Sequence, residues 1–278
     1  MTEKATGNTE ETSFQNNYKK LSIQVSLNGL SFCAVDTIDN SIMAHEKVVF
    51  KTTSTPYLLK KELKSALEEK RINEHDFPEV TVIHKNNLFG LVPKVLFDEN
   101  ERSNYLKFNT KILANDHIAH DEIESHDIIN VYIPFTNINN YIFDLFGEFE
   151  FRHSGSVLVQ TLMAQNKANI ETTCYAHVAE SSMEVVVITQ KKLLFYNYFH
   201  YKTKEDFLYF ILFTFEQLNL NVLEVKLKLF GIIEEGDDIF EMCCSYIKKV
   251  SVFAPSNTTY LFDQPESESI DFTVLSAL

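Results

Sequence analysis

The order of secondary-structure signals in this chain occurs twice, and this repetition constrains the fold more than any single motif does. Each half opens with three apolar or alternating segments, continues with a capped amphipathic helix and returns as another strand. The first strands are predicted to begin at Leu21 and Thr172, 151 positions apart, and the helix caps Thr55 and Thr203 are 148 positions apart. Because the residues of the two halves differ, the pattern indicates a duplicated plan without a duplicated sequence.

In the first half, hairpin and capping signals mark the ends of the predicted elements. Asn28-Gly29 predicts a hairpin turn because both residues tolerate positive φ. Thr55-Pro56 predicts a helix start, and Gly147 predicts a helix end. The predicted strands are Leu21–Ser26, Leu30–Val35, Ile42–Phe50, Val80–His84, Ile128–Ile133 and Phe149–Arg152, and helices are predicted after Thr55 and over Asn100–Phe108, Asn137–Phe146 and Val157–Asn166.

The second half repeats this succession. Thr203 with Asp206 three positions later resembles a capping box, and apolar residues follow it at helical spacing. The predicted strands are Thr172–Ala179, Glu184–Thr189, Leu193–Tyr201, Val222–Phe230 and Val250–Phe253, with a further helix over Asp237–Lys248. Strands that alternate with helices in this way indicate an α/β fold.

The domain prediction follows from the duplicated plan and the length. At 278 residues, the chain is long enough for about two domains. Residues 1–17 are mostly polar or acidic and are predicted to form a disordered tail. The first domain is predicted to cover residues 18–165, and the second to cover residues 166–278.

Composition restricts the classes of partner. The formal net charge is −14, which disfavours nucleic acid and anionic lipid as partners because both repel an acidic surface. The four cysteines lack CxxC spacing and are predicted to be buried, reduced thiols of a cytoplasmic protein. No signal peptide is recognised, and the longest apolar stretch, near Phe207–Phe215, is about half of what a bilayer span needs.

Two sets of residues carry a resemblance to known families. The segment Val131–Leu162 resembles the strand, helix, strand and crossing helix that leave the first domain of Hsp70-type chains. The opening LSIQVSLNGLSFCAVD and the run LVPKVLF are similar to the uncharacterised bacterial family called domain of unknown function 3822, over roughly Tyr18–Phe262. The resemblance implies an actin-like ATPase fold, with two ribonuclease-H-like domains that each hold a mixed five-stranded sheet and flanking helices.

In that superfamily the turn after the first strand carries Asp-x-Gly-Thr, whose carboxylate manages Mg²⁺ beside the phosphates of ATP. The corresponding turn here is Ser26-Leu27-Asn28-Gly29-Leu30-Ser31. Gly29 fits the glycine, whereas leucines stand where the Asp and the Thr belong, and a leucine neither binds Mg²⁺ nor donates to phosphate. Asn28, Gly29 and Ser31 are therefore candidate residues of a degenerate cleft only.

The equivalent turn of the second half also lacks the expected residues. His177–Ser182 contains neither Asp nor Gly, so Glu180 and Ser181 are its only candidates. Gly231 matches the glycine at the adenosine site, but Ile232 follows it where a second glycine belongs. We therefore expect no catalytic residue, no metal and no cofactor, with Mg-ATP bound only under an alternative in which Asp36 or Glu180 supplies the carboxylate.

Three other groups of residues could have a chemical function, but a structural interpretation is favoured for each. His117, His120 and His126 stand among aspartates within 112–126, which is predicted to be a solvated loop or an edge excursion rather than a zinc site. His153-Ser154 lacks a nucleophile elbow and is not expected to form a hydrolase pair. The run Tyr196–Tyr201 alternates and is interpreted as a half-buried strand rather than a base-stacking surface.

Three functional hypotheses remain open. The first is a non-catalytic binding or scaffold protein that recognises a protein partner. The second is a divergent ATP-dependent small-molecule kinase or ATPase. The third is a cytoplasmic component of a membrane-associated assembly. The residues do not identify the ligand, the partner or the oligomeric state.

Overall fold

The computed structural model describes residues 18–123, 126–166, 170–253 and 270–278. The predicted disordered tail, residues 1–17, lies outside the described residues. The chain divides into two compact units. The first unit holds residues 18–84, Phe135–Phe151 and 270–278, and the second unit holds the described parts of 85–134 and 152–253. Each unit is built from segments that are not contiguous in the sequence, whereas the predicted domains are contiguous. The domain division after residue 165 stays a prediction.

The described residues form thirteen strands and seven α-helices. Their bounds in the first part of the chain are β1 Lys19–Ser26, β2 Gly29–Asp36, β3 Ser41–Val49, α1 Pro56–Glu69, β4 Glu79–His84, β5 Phe89–Pro93, α2 Arg102–Leu106, β6 Ala119–Ile123, β7 Ile128–Tyr132, α3 Thr136–Phe146 and β8 Glu150–His153. The later elements are α4 Ser154–Gln165, β9 Thr173–Val178, β10 Ser182–Thr189, β11 Lys192–His200, α5 Lys204–Gln217, β12 Lys226–Gly231, α6 Asp238–Tyr246, β13 Lys249–Val252 and α7 Phe272–Ser276. Within this described part, no helix is both long enough and apolar enough to cross a membrane.

The two five-stranded sheets have the same topology. One has the order β3-β2-β1-β4-β8, and the other has the order β11-β10-β9-β12-β13. In each, the first three strands pair antiparallel and the first pairs parallel with the fourth. The third strand of each sheet also carries one unpaired residue, at Met43 and at Leu194. These irregularities are 151 positions apart, as are the predicted strand starts, so the duplicated plan is confirmed to the level of a single residue.

Each unit buries its own apolar core against one face of its sheet. In the first unit, α1 and α3 cover alternate residues of β1 and β2, including Ile23 and Phe32. In the second unit, α5 and α6 cover the corresponding face of β9, β10 and β12, with Phe207 and Leu229 fully buried. Alternate residues of these strands and one apolar stripe of each helix make up both cores. The other faces of β1, β2, β9 and β10 are buried as well.

Most predicted elements are confirmed, and the α/β prediction with two mixed five-stranded sheets is confirmed with them. The predicted strand Val222–Phe230 is wrong at its start, because the described strand begins at Lys226. The Asn221 side chain accepts a hydrogen bond from the Leu223 N–H, and the Asn221 carbonyl accepts bonds from the Glu224 and Val225 N–H groups. This turn at Asn221 replaces the predicted extended chain.

A third sheet, β5-β7-β6, belongs to the second unit and was not predicted as a sheet. The 112–126 stretch was predicted to be a loop or an edge excursion, and β6 is indeed an edge strand. The expectation that its acidic residues are solvated is wrong for Asp121, which is buried. The expectation of four buried thiols is also wrong for Cys244, which is exposed, whereas Cys33, Cys174 and Cys243 are buried.

Thr203→Ala is expected to lower the free energy of unfolding by about 1 kcal/mol. The Thr203 hydroxyl accepts from the Asp206 N–H at 3.2 Å, and the Asp206 carboxylate accepts from the Thr203 N–H, which is a complete capping box. Chemical denaturation measures the loss, with exposed Thr52→Ala as the control. An equal effect of both substitutions would contradict the capping role.

Candidate functional site

The first predicted turn joins β1 to β2 in the first unit. Leu27 is half-buried and packs against the apolar core of that unit, and its carbonyl accepts a hydrogen bond from the Ser54 N–H at 2.7 Å. The Asn28 carbonyl accepts from the Phe50 N–H at 2.9 Å. The backbone acceptors of this turn are therefore used by the segment that follows β3.

Gly29 and Ser31 lie on β2 beside this turn. A Cβ at position 29 would be 2.4 Å from the Val48 carbonyl oxygen, so the close approach of β3 requires a glycine there. Ser31 is buried, and its hydroxyl has no hydrogen-bond partner within the described residues. Asp36 lies at the end of β2 and accepts from the Ile38 N–H in the next turn. The structure brings Asn28, Gly29 and Ser31 together in one hairpin.

The second group of candidates lies at one end of the sheet of the second unit. Glu180 and Ser181 are exposed in the turn between β9 and β10, and the Ser181 carbonyl accepts from the Tyr201 N–H. Gly231 ends β12 opposite Val178 of β9 with φ +99°. A Cβ at Gly231 would lie 2.3 Å from the Val178 carbonyl oxygen, so backbone packing alone requires this glycine.

The strongest polar cluster of the second unit surrounds Glu184 on β10, and we call it the Glu184 cluster. Glu184 is fully buried and accepts four hydrogen bonds. Oε1 accepts from Ser154 Oγ at 3.0 Å and from Tyr196 OH at 2.9 Å. Oε2 accepts from Lys85 Nζ at 2.8 Å and from His177 Nδ1 at 3.2 Å, which assigns the Nδ1–H tautomer to His177.

Four elements of the second unit, together with Lys85 in a connecting segment, position this cluster. Lys85 directly follows β4, Ser154 is the first residue of α4, and the other three members lie on β9, β10 and β11. Gly155 lets α4 approach β11, because a Cβ there would lie 2.3 Å from the Tyr196 ring. The amino end of α4 also favours the negative charge of the carboxylate.

The electrostatics of the cluster keep Glu184 ionised. Burial alone would raise the pKa of the Glu184 carboxyl, but Lys85 and His177 hold that pKa well below its usual range. Burial, together with the neighbouring Glu184 charge, raises the pKa of Tyr196 well above its ordinary value. A carboxylate whose pKa is lowered is a weaker base, and a weaker base is less suited to take a proton from the Ser154 hydroxyl.

A second buried network adjoins the cluster at the start of α4. Asp121 accepts from Tyr132 OH at 2.9 Å and from the His153 N–H at 2.8 Å. The His153 ring donates from Nε2 to the Asn86 carbonyl at 3.1 Å and accepts at Nδ1 from the Gly155 N–H at 3.0 Å. His153 therefore caps α4 and does not pair with Ser154, whose hydroxyl donates to Glu184 instead.

The histidine-rich segment and the tyrosine run, which the sequence also singled out, lie in different parts of the second unit. Asp116 and His117 line an open depression of about 460 Å³ with Glu99, Asn100 and Arg102. Among the residues that the structure describes, no group of three His, Cys, Asp or Glu side chains has an arrangement that could hold a metal ion. Tyr196 and Tyr198 are buried on β11, as the half-buried strand interpretation requires.

Sequence reasoning did not identify Lys85 and Glu184 as a pair. A signal was present, since Glu184 is a charged residue next to the apolar run Val185–Ile188 of a predicted strand. A charge in such a run requires a partner when the strand is buried. The identity of the partner was not readable, because Lys85 is remote in the sequence.

One protein family and several solved structures are similar to this chain. A family model described as "Protein of unknown function (DUF3822)" matches residues 8–250. No curated protein matches the sequence significantly. A Bacteroides thetaiotaomicron protein with an actin-like ATPase fold and unknown function has a TM-score of 0.77 at 18% identity, over 89% of this chain and 95% of that chain. The PilM–PilN type IV pilus biogenesis complex has a TM-score of 0.58 at 12% identity, over 93% of this chain and 97% of that chain.

These matches confirm the resemblance that the sequence carries. The fold is that of the actin-like ATPases, as the resemblance implied. At these identities the structural likeness shows the fold alone.

Proposed function

The chain belongs to the DUF3822 family of proteins of unknown function, and on that premise we propose that it is a non-catalytic, partner-binding protein built on the actin-like ATPase fold. The proposal places it in the cytoplasm, without a bound cofactor and with a protein as its ligand. The observation that carries the proposal is the side chain of Leu27, which packs into the core of the first unit where the superfamily has its magnesium-managing carboxylate.

The first turn supports the proposal through its chemistry. An ATPase needs carboxylate oxygen near Mg²⁺ and donors near phosphate. Leu27 offers neither, and the Leu27 and Asn28 carbonyls are already bonded to the segment after β3. Asp36 is at the far end of β2 from this turn, where it holds the next turn.

The second turn supports the proposal in the same way. Glu180 is its one carboxylate and is exposed to solvent. The glycine that matched the adenosine site, Gly231, has a structural reason in its contact with Val178. Backbone packing therefore accounts for Gly231, and a bound nucleotide is not needed to explain why a glycine is at this position.

The protein partner rests on a different observation. One of the similar folds is named for a complex of two proteins, PilM and PilN, in type IV pilus biogenesis. This likeness favours a protein rather than a small molecule as the ligand. It also keeps a role as a cytoplasmic component of a membrane-associated assembly as the second candidate.

Titration of the chain with Mg-ATP is expected to give no binding tighter than about 1 mM, because neither turn supplies the groups that hold the metal and the phosphates. Isothermal calorimetry measures this, with ATP in EDTA as the control for magnesium dependence. Micromolar, magnesium-dependent binding that Glu180→Ala abolishes would overturn the non-catalytic proposal and support the kinase or ATPase alternative.

The partner itself is tested by affinity purification from the source cells. The proposal expects a second protein at near-stoichiometric amount that is absent when the bait is unfolded beforehand. Recovery of the chain alone under mild, low-salt conditions would contradict it.

A further inference from the structure

The helices α1 and α5 occupy the same place in the duplicated plan, so they can be compared position by position. Both begin directly after a threonine cap and are 14 residues long. Four positions are buried in both helices. In α1 these are Leu59, Leu63, Ala66 and Leu67, and in α5 they are Phe207, Ile211, Thr214 and Phe215. The two halves therefore use the same stripe of their helix for the core.

The solvent-facing positions of the two helices differ in chemistry. Tyr209 and Phe213 of α5 correspond to Lys61 and Ser65 of α1, which are exposed. Tyr209 and Phe213 are themselves 59% and 42% exposed. Since α1 forms the same helix with polar residues at these positions, the packing of the fold does not explain the two aromatic side chains. Large aromatic residues that are exposed next to one another are typical of a binding surface.

The two exposed rings belong to a continuous aromatic surface of the second unit. Its members are Phe195 and Phe199 on β11 and Tyr209, Phe210 and Phe213 on α5, and we call it the α5 aromatic surface. Phe195 and Phe199 have ring centroids 6.4 Å apart, and Phe199 stacks on Phe210 at 4.7 Å. Tyr209 contacts Phe210 at 5.5 Å and stacks on Phe213 at 5.8 Å. Aromatic rings in contact offer both apolar area and ring faces to a ligand.

Acidic residues flank the exposed rings. The helices α5 and α6 pack against each other and contain one basic residue, Lys204, which pairs with Asp238 at 2.9 Å. Their acidic residues are Glu205, Asp206, Glu216, Asp238 and Glu241. Glu205 is exposed and lies four residues before Tyr209 on α5. Glu216 is exposed and lies three residues after Phe213, so each exposed ring has a carboxylate beside it on the helix surface.

We propose that the α5 aromatic surface binds an apolar segment of another protein that carries arginine or lysine residues. The inference rests on the proposed partner-binding function and names the chemistry of the partner. The apolar side chains of such a segment cover the exposed rings and remove them from water. A guanidinium group that stacks on Tyr209 also reaches Glu205, because residues four apart on a helix are neighbours on its surface. Phe213 and Glu216 offer the same combination.

Charge favours this occupant over the others. A second copy carries a net charge of −14, and an anionic membrane surface is also negative, so the acidic residues beside the rings repel both. The two longest segments outside the described residues are acidic as well. Residues 1–17 contain three Glu and one Lys, and residues 254–269 contain one Asp, two Glu and no basic residue. A basic partner is the one that these carboxylates attract.

A model peptide tests the surface with the full chain. The probe has leucine and arginine at helical spacing over about 14 residues, the length of α5, and its analogue with glutamate in place of arginine is the charge control. We expect the chain to bind the arginine peptide with a Kd below about 100 µM and not to bind the glutamate peptide. Isothermal calorimetry measures both. Failure of the chain to bind the arginine peptide would overturn the proposal.

The decisive variant is Tyr209→Gln/Phe213→Ser, which gives α5 polar residues where α1 already has them. It is expected to bind the arginine peptide at least about tenfold more weakly, with unchanged circular dichroism, because the exposed rings are gone. Tyr57→Gln removes a 78% exposed tyrosine from α1 and is expected to leave the affinity unchanged. Equal affinities of the wild type and the double variant would refute the assignment of the surface.

A second pair of variants tests the role of the carboxylates. Glu205→Gln/Glu216→Gln is expected to weaken binding of the arginine peptide at least about fivefold at low salt and less in concentrated salt. Glu62→Gln/Glu69→Gln makes the same change in net charge at exposed positions of α1 and is expected to change the affinity less than about twofold. Equal losses for the two pairs would mean that the peptide responds to the net charge of the chain, which would contradict a site on α5.

Hydroxyl-radical footprinting with mass spectrometry identifies the occupant without any variant. In the free chain, Tyr209 and Phe213 are expected to be oxidised equally at low and at high protein concentration, and the arginine peptide is expected to protect both side chains. Protection that increases with protein concentration would identify a second copy as the occupant. Protection at every concentration without the peptide would identify another segment of the same chain. Either result would overturn the assignment of a basic partner.

Affinity purification from the source cells separates this inference from the proposed function. The Tyr209→Gln/Phe213→Ser variant is expected to recover at least about tenfold less of the partner than the wild type does. Equal recovery by both would refute the inference and leave the proposed function intact. Recovery of no partner by the wild type would contradict the proposed function, while the peptide titration still decides whether the α5 aromatic surface binds a basic segment.

Discussion

Glu184→Gln is expected to lower the free energy of unfolding by about 3–5 kcal/mol, the largest effect of any single substitution that we predict. The substitution keeps the size of the side chain and removes its charge. It leaves the Lys85 ammonium, which is 7% exposed, without the carboxylate 2.8 Å away. A buried charge without its counter-ion is costly because the protein interior does not solvate it. Urea denaturation at neutral pH measures the loss.

The matched control is Glu79→Gln. Glu79 forms an ion pair with Lys20 at 2.7 Å, but its side chain is 62% exposed, so the same chemical change is expected to cost less than about 1 kcal/mol. Lys85→Met added to Glu184→Gln removes the buried cation that has lost the Glu184 carboxylate, and it is expected to restore at least about 1 kcal/mol. Equal losses at Glu79 and Glu184, or a double variant less stable than Glu184→Gln alone, would show that the pair is not the source of the effect.

Local signals explain why much of the fold could be predicted. Thr55 and Thr203 both cap helices. Each hydroxyl accepts from an N–H only three residues later, so the capping interaction can be recognised from the local sequence. Period-2 alternation predicted β1, and the Asn28-Gly29 turn signal predicted β2 as its return strand. Alternate residues of both strands lie on the same core. These signals need no knowledge of distant residues, whereas the two mixed five-stranded sheets were expected from the family resemblance.

The Glu184 cluster could not be predicted because it depends on residues that are distant in the sequence. Its members come from four elements and one connecting segment, and only the fold brings Lys85 to Glu184. The sequence showed His177 and Ser154 as separate features, without the carboxylate that joins them. The third sheet escaped prediction for a related reason, because Asp121 makes β6 look solvated until Tyr132 and the start of α4 supply its partners.

The degenerate cleft was predicted from residues that its two turns lack, rather than from residues that they contain. Leu27 and Gly231 have structural explanations in their own units, in a core contact and in a close backbone approach. Such explanations favour the non-catalytic proposal. The titration with Mg-ATP tests that proposal against the alternative in which the exposed Glu180 supplies the carboxylate.

Lowering the pH from 7 to 4 is expected to remove about 3 kcal/mol of stability through His153 alone. Burial lowers the pKa of His153 from 6.5 to about 4, against the opposing effects of Glu184 and the Asn86 carbonyl. Both ring nitrogens are engaged, because Nε2 donates to Asn86 and Nδ1 accepts from the Gly155 N–H. A second proton would break the cap of α4. Between about pH 6.5 and 4 the unfolded chain therefore binds a proton that the folded chain does not, and stability falls as the pH falls.

His153→Asn isolates this contribution, because asparagine can cap the helix and does not titrate. Asp121 must be separated from it. Burial raises the pKa of the Asp121 carboxyl, so its contribution is lost as the pH rises and partly offsets that of His153. Urea midpoints at pH 7, 6, 5 and 4 are expected to fall more steeply for the wild type than for His153→Asn, and more steeply still for Asp121→Asn. If the urea midpoints of the wild type and His153→Asn fell in parallel with pH, the prediction would be wrong. That result would mean that the folded chain binds the second proton at His153 without losing the cap of α4.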